Sequence, residues 1–220
     1  MAAREESFLR VTEIFKSIQG ESTWTGLPCV FVRLTGCNLR CAYCDTQYAY
    51  EGGANMTVRA ILERCEALGS RLVEITGGEP LAQDGCPLLA GCLLAQGYTV
   101  LVETNGTLPI KRLPAAVIKI MDIKCPGSGM GEQTDWTNIE ALSARDEVKF
   151  VMGDRTDYEW SREVVRRYDL TSRCAAVLFS PVFGAVEPGA LAAWILEDGL
   201  EVRLQLQAHK YIWSPDRRGV

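Results

Sequence analysis

Cys37-Asn38-Leu39-Arg40-Cys41-Ala42-Tyr43-Cys44 places three cysteines on one short loop, in the spacing C-x3-C-x2-C. Three thiolates are one too few for a closed site, because structural zinc and ordinary cubane clusters take four protein ligands. A 4Fe–4S cluster held by three cysteines leaves one iron open to a small molecule. Two plainer readings compete: a zinc loop, and chance clustering of buried thiols. Zinc needs a fourth ligand, and the nearest cysteines outside the loop, Cys29 and Cys65, complete no C-x2-C pair. Cys86, Cys92, Cys125 and Cys174 also stand singly, and all six read as small buried hydrophobes. Cys125 is set apart, because it adjoins the segment Asp122-Ile123-Lys124.

Two further groups stand where strands should end. In Thr76-Gly77-Gly78-Glu79-Pro80 the paired glycines let backbone groups approach a ligand closely, and Glu79 offers an acceptor to an ammonium. Gly-Gly before Pro is also ordinary loop chemistry. Its place one helix and one strand after the cysteine loop favours the ligand reading. Glu103-Thr104-Asn105-Gly106-Thr107 puts polar groups at the end of the next strand, where a plain Asn-Gly turn is the competing reading.

The elements that must position these groups alternate along the chain. Strands are expected at Pro28 to Leu34, Leu72 to Thr76, Thr99 to Thr104, Val117 to Ile123, Glu147 to Met152, Ala175 to Ser180 and Glu201 to Gln207. Val58, Ile61, Leu62, Cys65 and Leu68 fall at helical spacing, with Thr57 as N-cap and Gly69 as C-cap. Further helices are expected at Pro87 to Gln96, Asp157 to Tyr168 and Pro188 to Asp198. This alternation predicts a mainly parallel sheet with right-handed crossovers. A complete eight-unit barrel takes about 250 residues, and the segment from Cys125 to Asn138 reads as loop. An incomplete, open α/β barrel of roughly six units is therefore expected, as a single domain over residues 1–220 with the cysteine loop at the C-terminal face of the strands.

Composition narrows the function classes. The 220 residues are 47% hydrophobic and 23% charged with a net charge of −5, ordinary values for a globular protein. Scattered Lys and Arg give no electrostatic footprint for nucleic acid, so a small-molecule substrate is favoured. No apolar run approaches the ~18 residues that span a bilayer. Met1-Ala2-Ala3-Arg4-Glu5-Glu6 carries no apolar signal region, so a reducing, cytoplasmic setting is expected for the nine cysteines.

The three-cysteine spacing resembles that of the radical S-adenosylmethionine (SAM) superfamily, in which SAM chelates the open iron and one electron cleaves it to a 5′-deoxyadenosyl radical. A wider set of motifs narrows the resemblance. Glu13-Ile14-Phe15 with Gln19-Gly20-Glu21, Phe31-Val32-Arg33-Leu34, Asp45-Thr46 after the loop, and Glu74 through Leu81 come first. Glu103 to Thr107, Asp122-Ile123-Lys124, Ser180-Pro181-Val182-Phe183-Gly184 and Gln205-Leu206-Gln207-Ala208-His209-Lys210 follow. Together, over nearly the whole chain, they resemble the 7-carboxy-7-deazaguanine synthases. That resemblance implies a radical-SAM barrel converting 6-carboxy-5,6,7,8-tetrahydropterin to 7-carboxy-7-deazaguanine, with loss of ammonia, in queuosine and other deazapurine biosynthesis. It also implies Mg2+, SAM returned unconsumed, an electron donor such as flavodoxin or ferredoxin, and a homodimer. Ser22 departs from the family where a second glycine is common, and Tyr43 where tryptophan is.

The resemblance also implies roles. Cys37, Cys41 and Cys44 would hold the cluster and Thr46 the Mg2+. SAM would meet Tyr43, Cys44, Asp45, Gly78, Glu79, Thr104, Asn105, Lys124, Ser128 and Ser180. The pterin would meet Ile18, Gln19, Gly20, Glu21, Arg33, Thr76, His209 and Val220. Arg33 suits a carboxylate through its planar fork, though a surface ion pair is the plainer reading. His209, the sole histidine, shares strand parity with Arg203, Gln205 and Gln207 if the last strand is regular. The tail from Ser214 to Val220 is within reach of folding over the site.

Two other classes remain. A glycyl-radical activase shares the loop but consumes SAM and acts on a protein, and nothing in it calls for Gln19-Gly20-Glu21. A non-catalytic iron–sulfur or zinc module has no use for the Gly-Gly-Glu-Pro turn.

Overall fold

A computed structural model describes residues 6–220. The N-terminal reading therefore falls, but for Glu6, outside the described residues. Nine strands form one sheet in the order β3-β1-β2-β4-β5-β6-β7-β8-β9. They are β1 (Phe8–Ile18), β2 (Pro28–Leu34), β3 (Ala54–Thr57), β4 (Leu72–Gly77), β5 (Thr99–Thr104), β6 (Ile118–Asp122), β7 (Glu147–Met152), β8 (Ala176–Pro181) and β9 (Arg203–Leu204). From β2 onward through β4 to β9 every pairing is parallel. The helices are α1 (Val58–Leu68), α2 (Cys86–Ala95), α3 (Arg155–Tyr168), α4 (Leu170–Arg173), α5 (Pro188–Asp198) and α6 (His209–Ile212). Among the described residues no helix is long and apolar enough to cross a membrane.

Three expectations need correction. β1 and β3 were not anticipated, and both pair antiparallel at one edge of the sheet. The last strand is two residues long instead of seven, and His209 opens the short helix α6 instead of ending a strand. The cause is tertiary. Gln205 N–H still donates to the Phe179 carbonyl at 2.8 Å, but Ala208 N–H then donates to the Gly20 carbonyl at 2.9 Å. The chain leaves the ladder to cross toward β1. The segment after Cys125 is a run of 3-10 turns, Pro126–Ser128, Gly131–Gln133 and Trp136–Ala141.

The local chemistry explains the main elements. The Thr57 hydroxyl accepts from Ala60 N–H at 3.1 Å to start α1, and Gly69 ends it at φ +65. Both are the cap chemistry expected at those ends. Val58, Ile61, Leu62 and Cys65 of α1 are buried, each large aliphatic side chain contributing about 1.5–3 kcal/mol. The sheet carries two apolar clusters. One holds most of the core beneath the helices, including Val32, Ile75, Val102 and Phe150. The smaller one, on the opposite face, comprises Cys29, Phe31, Leu72, Leu101 and Ile120, with Phe15 stacked on Phe31 at 5.1 Å. Inward side chains nearer the strand C-termini change from apolar to charged, and there the site begins.

Candidate active site

A cavity of about 770 Å³ opens at the C-terminal edge of the parallel strands. Cys37, Cys41 and Cys44 all line it, each as a half-buried free thiol. Several backbone anchors fix their loop. Gly36 N–H donates to Ala49, Glu79 N–H to Gly36, and Ala42 N–H to Ser128, at 2.8–2.9 Å. The Arg40 guanidinium donates to the Cys37 and Leu39 carbonyls, and the Tyr43 hydroxyl to the Val151 carbonyl at 2.8 Å. Asp157 of α3 reaches the same assembly from behind, accepting from Gly127 N–H at 2.7 Å and Gly153 N–H at 2.9 Å.

The donor set fits a cubane better than a single ion. Among the described residues no three His, Cys, Asp or Glu side chains converge as a mononuclear metal site would require. Three thiols share one opening into a space large enough for a further small molecule. Burial pushes the Cys37 and Cys41 thiols above their ordinary value, so ligation must displace protons.

The glycine turn approaches this loop as closely as backbone allows. Gly77 takes φ +154, and a Cβ there would lie 2.9 Å from the Leu34 nitrogen. Gly78 lines the cavity against Gly36 and Cys37. Glu79 is not among the residues that line the cavity. It is fully buried, and its carboxylate accepts from Leu81 N–H, the Thr104 hydroxyl and Asn105 N–H at 2.7–2.9 Å. It therefore ties the ends of β4 and β5 together. Thr104 and Asn105 do line the cavity, and Asn105 Nδ2 lies 3.1 Å from Asn38 Oδ1 and 4.0 Å from Cys37 Sγ.

Ser128 and Ser180 are likewise buried and do not line the cavity. The Ser128 hydroxyl donates to the Cys125 carbonyl at 2.6 Å, while Ser180 Oγ finds no partner among the described residues. Lys124 does face the cavity and pairs with Asp122 at 2.8 Å.

The floor was the part least visible in the sequence. Lys149 rises from the middle of β7, 5% exposed, and pairs with Glu21 at 2.8 Å, with Glu103, and with Asp122 at 3.4 Å. Its carboxylate partners come from the turn after β1, from β5 and from β6. Glu74 of β4 accepts a hydrogen bond from the Gln19 amide. Their ionisation diverges. Burial raises both, but at Glu21 the Lys149 ammonium, His209 and the hydrogen bonds from Lys149 and Gln207 together outweigh it, and the carboxyl falls to about 2. Burial and the Glu103 charge instead drive Glu74 well above the carboxylate range. Gln19 is occupied internally, its carbonyl accepting from Glu21 N–H at 3.0 Å. It braces Glu21, although it also lines the cavity.

Arg33, Thr76, Ile18, Gly20, His209 and Val220 line the same cavity. Arg33 Nε donates to Glu13 at 2.8 Å, so the ion-pair reading and the cavity-facing one both describe it. Tyr48, which donates to the same Glu13 oxygen at 2.8 Å, lies between Arg33 and Arg218 of the tail, whose guanidinium sits 4.1 Å from its ring centroid. A Cβ on Gly20 would collide with the His209 ring, so the glycine is what admits the histidine. Ser22 has φ +66, the left-handed conformation that glycine adopts most readily. Thr46 donates its hydroxyl to Asp45 at 2.9 Å, and Lys210 binds the other Asp45 oxygen at 2.7 Å. Residues 215–220 of the tail also line the cavity.

An open α/β barrel with three free cysteines at the sheet edge, opposite a Gly-Gly turn, defines a radical SAM enzyme, and the model of the radical SAM superfamily matches residues 31–169. The chain is 47% identical over 227 residues to a 7-carboxy-7-deazaguanine synthase of Koribacter versatilis (strain Ellin345), covering 96% of this chain and 100% of that one. It is also 47% identical over 218 residues to a 7-carboxy-7-deazaguanine synthase of Chlorobaculum tepidum, covering 98% and 99%. The crystal structure of QueE from Escherichia coli shares the fold, with a TM-score of 0.76 at 24% identity over 92% of this chain and 95% of that one. The chain belongs to the 7-carboxy-7-deazaguanine synthase family.

Proposed function

We propose that the chain converts 6-carboxy-5,6,7,8-tetrahydropterin to 7-carboxy-7-deazaguanine, contracting the ring and releasing ammonia. The observation that carries this reading is the convergence on one cavity of the cysteine loop, the Gly-Gly turn and a floor of buried charges. When bound there, the 4Fe–4S cluster and SAM supply a 5′-deoxyadenosyl radical able to take hydrogen from an unactivated carbon.

The chain's own residues bind, orient and exclude water. Cys37, Cys41 and Cys44 hold the cluster. Tyr43, Cys44 and Asp45 on the loop, with Gly78, Thr104, Asn105 and Lys124 at the strand ends, face SAM. Arg33 is braced at Nε by Glu13, leaving its other N–H groups for the substrate carboxylate. Glu21 accepts from the amino-pyrimidinone edge, and Ile18, Gln19, Gly20 and Thr76 frame the ring. His209 and Val220 close over it. Thr46 offers Mg2+ a hard oxygen, with water and substrate oxygens completing its coordination. We further read the chain as one domain, a cytoplasmic homodimer reduced by a flavodoxin- or ferredoxin-type donor.

The deciding experiment follows the fate of SAM. A redox-neutral ring contraction lets hydrogen return from 5′-deoxyadenosine, so SAM is re-formed. With carboxytetrahydropterin deuterated at C6, deuterium is expected in recovered SAM, with many products per SAM. One 5′-deoxyadenosine released per event, with no deuterium in SAM, rules out this cycle and favours a protein activase.

A further inference from the structure

The floor of the cavity is a boundary between two kinds of inward side chain. Below it lie Phe31, Leu101 and Ile120, and at it Lys149 meets Glu21, Glu103 and Asp122. Resting on the function proposed above, we infer that Lys149 is the positioning residue for pterin recognition, holding Glu21 and Glu103 as aimed, acceptor-only carboxylates.

Geometry gives the first argument. Glu21 comes from the turn after β1 and Glu103 from β5, and no backbone pairing joins those elements. The ammonium of Lys149 contacts both, and Gln207 Nε2 steadies the second Glu21 oxygen at 2.9 Å. Without Lys149, carboxylates crowded in a low dielectric would protonate or turn to solvent.

Recognition chemistry gives the second. The amino-pyrimidinone edge of a pterin presents N–H donors. An ionised carboxylate only accepts, whereas a protonated one sets a donor against a donor. Glu74 shows what the same floor does to a carboxylate that contacts an amide and no ammonium: burial and the Glu103 charge push it well above the ordinary carboxylate value. The third argument is balance. Glu21, Glu103 and Asp122 face two ammonium groups, Lys149 and Lys124. Glu147 on β7, Glu74 on β4, Arg33 on β2, His209 on α6 and Asp45 after the cysteine loop, itself paired with Lys210, also act on this cluster. The carboxylate oxygens of Glu21 and Glu103 suit a donor-rich ligand edge.

The test uses reconstituted holoenzyme under anaerobic conditions, with equilibrium binding of carboxytetrahydropterin and of SAM measured separately across neutral pH. Lys149→Met is expected to weaken pterin binding by roughly 30-fold or more, the effect of removing one member of a buried charge pair. SAM affinity and the cluster's EPR spectrum should be unchanged. Residual pterin affinity should rise with pH in Lys149→Met as Glu21, no longer held low by the Lys149 ammonium, regains charge. This rise is read as a difference from wild type, because Glu74 titrates in both. Lys149→Arg should restore most of the affinity. A Lys149→Met enzyme with wild-type pterin affinity and only a lowered melting temperature overturns the inference.

If Lys149→Met does not fold, Lys149→Met/Glu103→Gln balances the buried charge and is compared with Glu103→Gln alone. The double variant must bind pterin more weakly, because Glu21 has lost its cation, and equal affinity overturns the inference. A wild-type holoenzyme that fails to bind the pterin refutes the functional reading itself, and this role with it.

Discussion

Gly78 lies against Cys37 so closely that a Cβ on the glycine would sit 2.6 Å from the cysteine's own Cβ, and nearer still to the Gly36 carbonyl oxygen. The opposing atoms are backbone and the root of a cluster ligand, neither of which can swing away. Gly78→Ala is therefore expected to displace the cysteine loop, at about 1–3 kcal/mol for overpacking. Iron retained after anaerobic reconstitution should fall, together with SAM affinity. Wild-type iron content and melting temperature would show that the contact is slack.

The cysteines should divide sharply. Cys37→Ala, Cys41→Ala and Cys44→Ala are each expected to abolish SAM cleavage and strip the cluster absorbance. Cys65→Ala, at a fully buried site in α1, should keep both while losing about 1–2 kcal/mol of stability to a small cavity. Full activity from zinc-loaded, iron-free protein would defeat the cluster assignment.

Thr46 donates its hydroxyl to Asp45, which leaves its oxygen lone pairs available to a cation. Thr46→Val keeps the shape and removes the ligand. Turnover should fall and its dependence on added Mg2+ should fade, with SAM binding intact. An unaltered Mg2+ titration would mean that Thr46 only shapes the loop.

Arg33→Lys keeps a charge for Glu13 but loses the planar fork. Pterin binding is expected to weaken by about 1.5–3 kcal/mol, the scale of a hydrogen bond to a charged group. Titration of carboxytetrahydropterin against the variant measures this, and a deletion of the pterin carboxyl should cost the variant less than it costs wild type. Equal losses would place the carboxylate elsewhere.

Glu74 predicts a pH dependence of stability. Its folded value is raised from 4.5 by burial, so folding takes up a proton, and the stability it contributes is lost as pH climbs from 4.5 toward the folded value. Glu74→Gln cannot titrate. Melting scans from about pH 5 to 8 should show the variant gaining on wild type as pH rises. Glu21 acts oppositely: its contribution is present above 4.5 and lost only as pH falls toward about 2, below that window. Parallel curves for wild type and variant would mean that Glu74 is ionised throughout.

Local signals were readable where one stretch of chain carries the whole physics. The α1 caps at Thr57 and Gly69, the buried stripe between them and the bounds of α5 (Pro188–Asp198) all rest on contacts a few residues apart. The cysteine loop and the glycine turn were legible for the same reason. β1 was missed because it mixes polar and apolar residues around a register shift between Val11 and Glu13. β9 was overextended because alternation from Glu201 to Gln207 looks like a strand, until Ala208 turns to bond Gly20. Lys149 carried one usable signal, a charge between Val148 and Phe150 within a strand whose remaining residues, apart from Glu147 at its start, are apolar. Its partners lie 27 to 128 residues away, and only sheet register brings them together.

The cross-tie between Lys210 and Asp45 spans 165 residues of chain, and that span imposes an order on assembly. At ~5–20 residues per second of synthesis, the cysteine loop leaves the ribosome on the order of 10–30 s before the residues that roof it exist. Contacts of such long sequence separation also form late in folding. Through that interval the three thiols lack Lys210, His209 and the tail residues that line the finished cavity. A cluster inserted during synthesis and one inserted into the finished chain therefore meet the loop in different surroundings, without and with those lining residues.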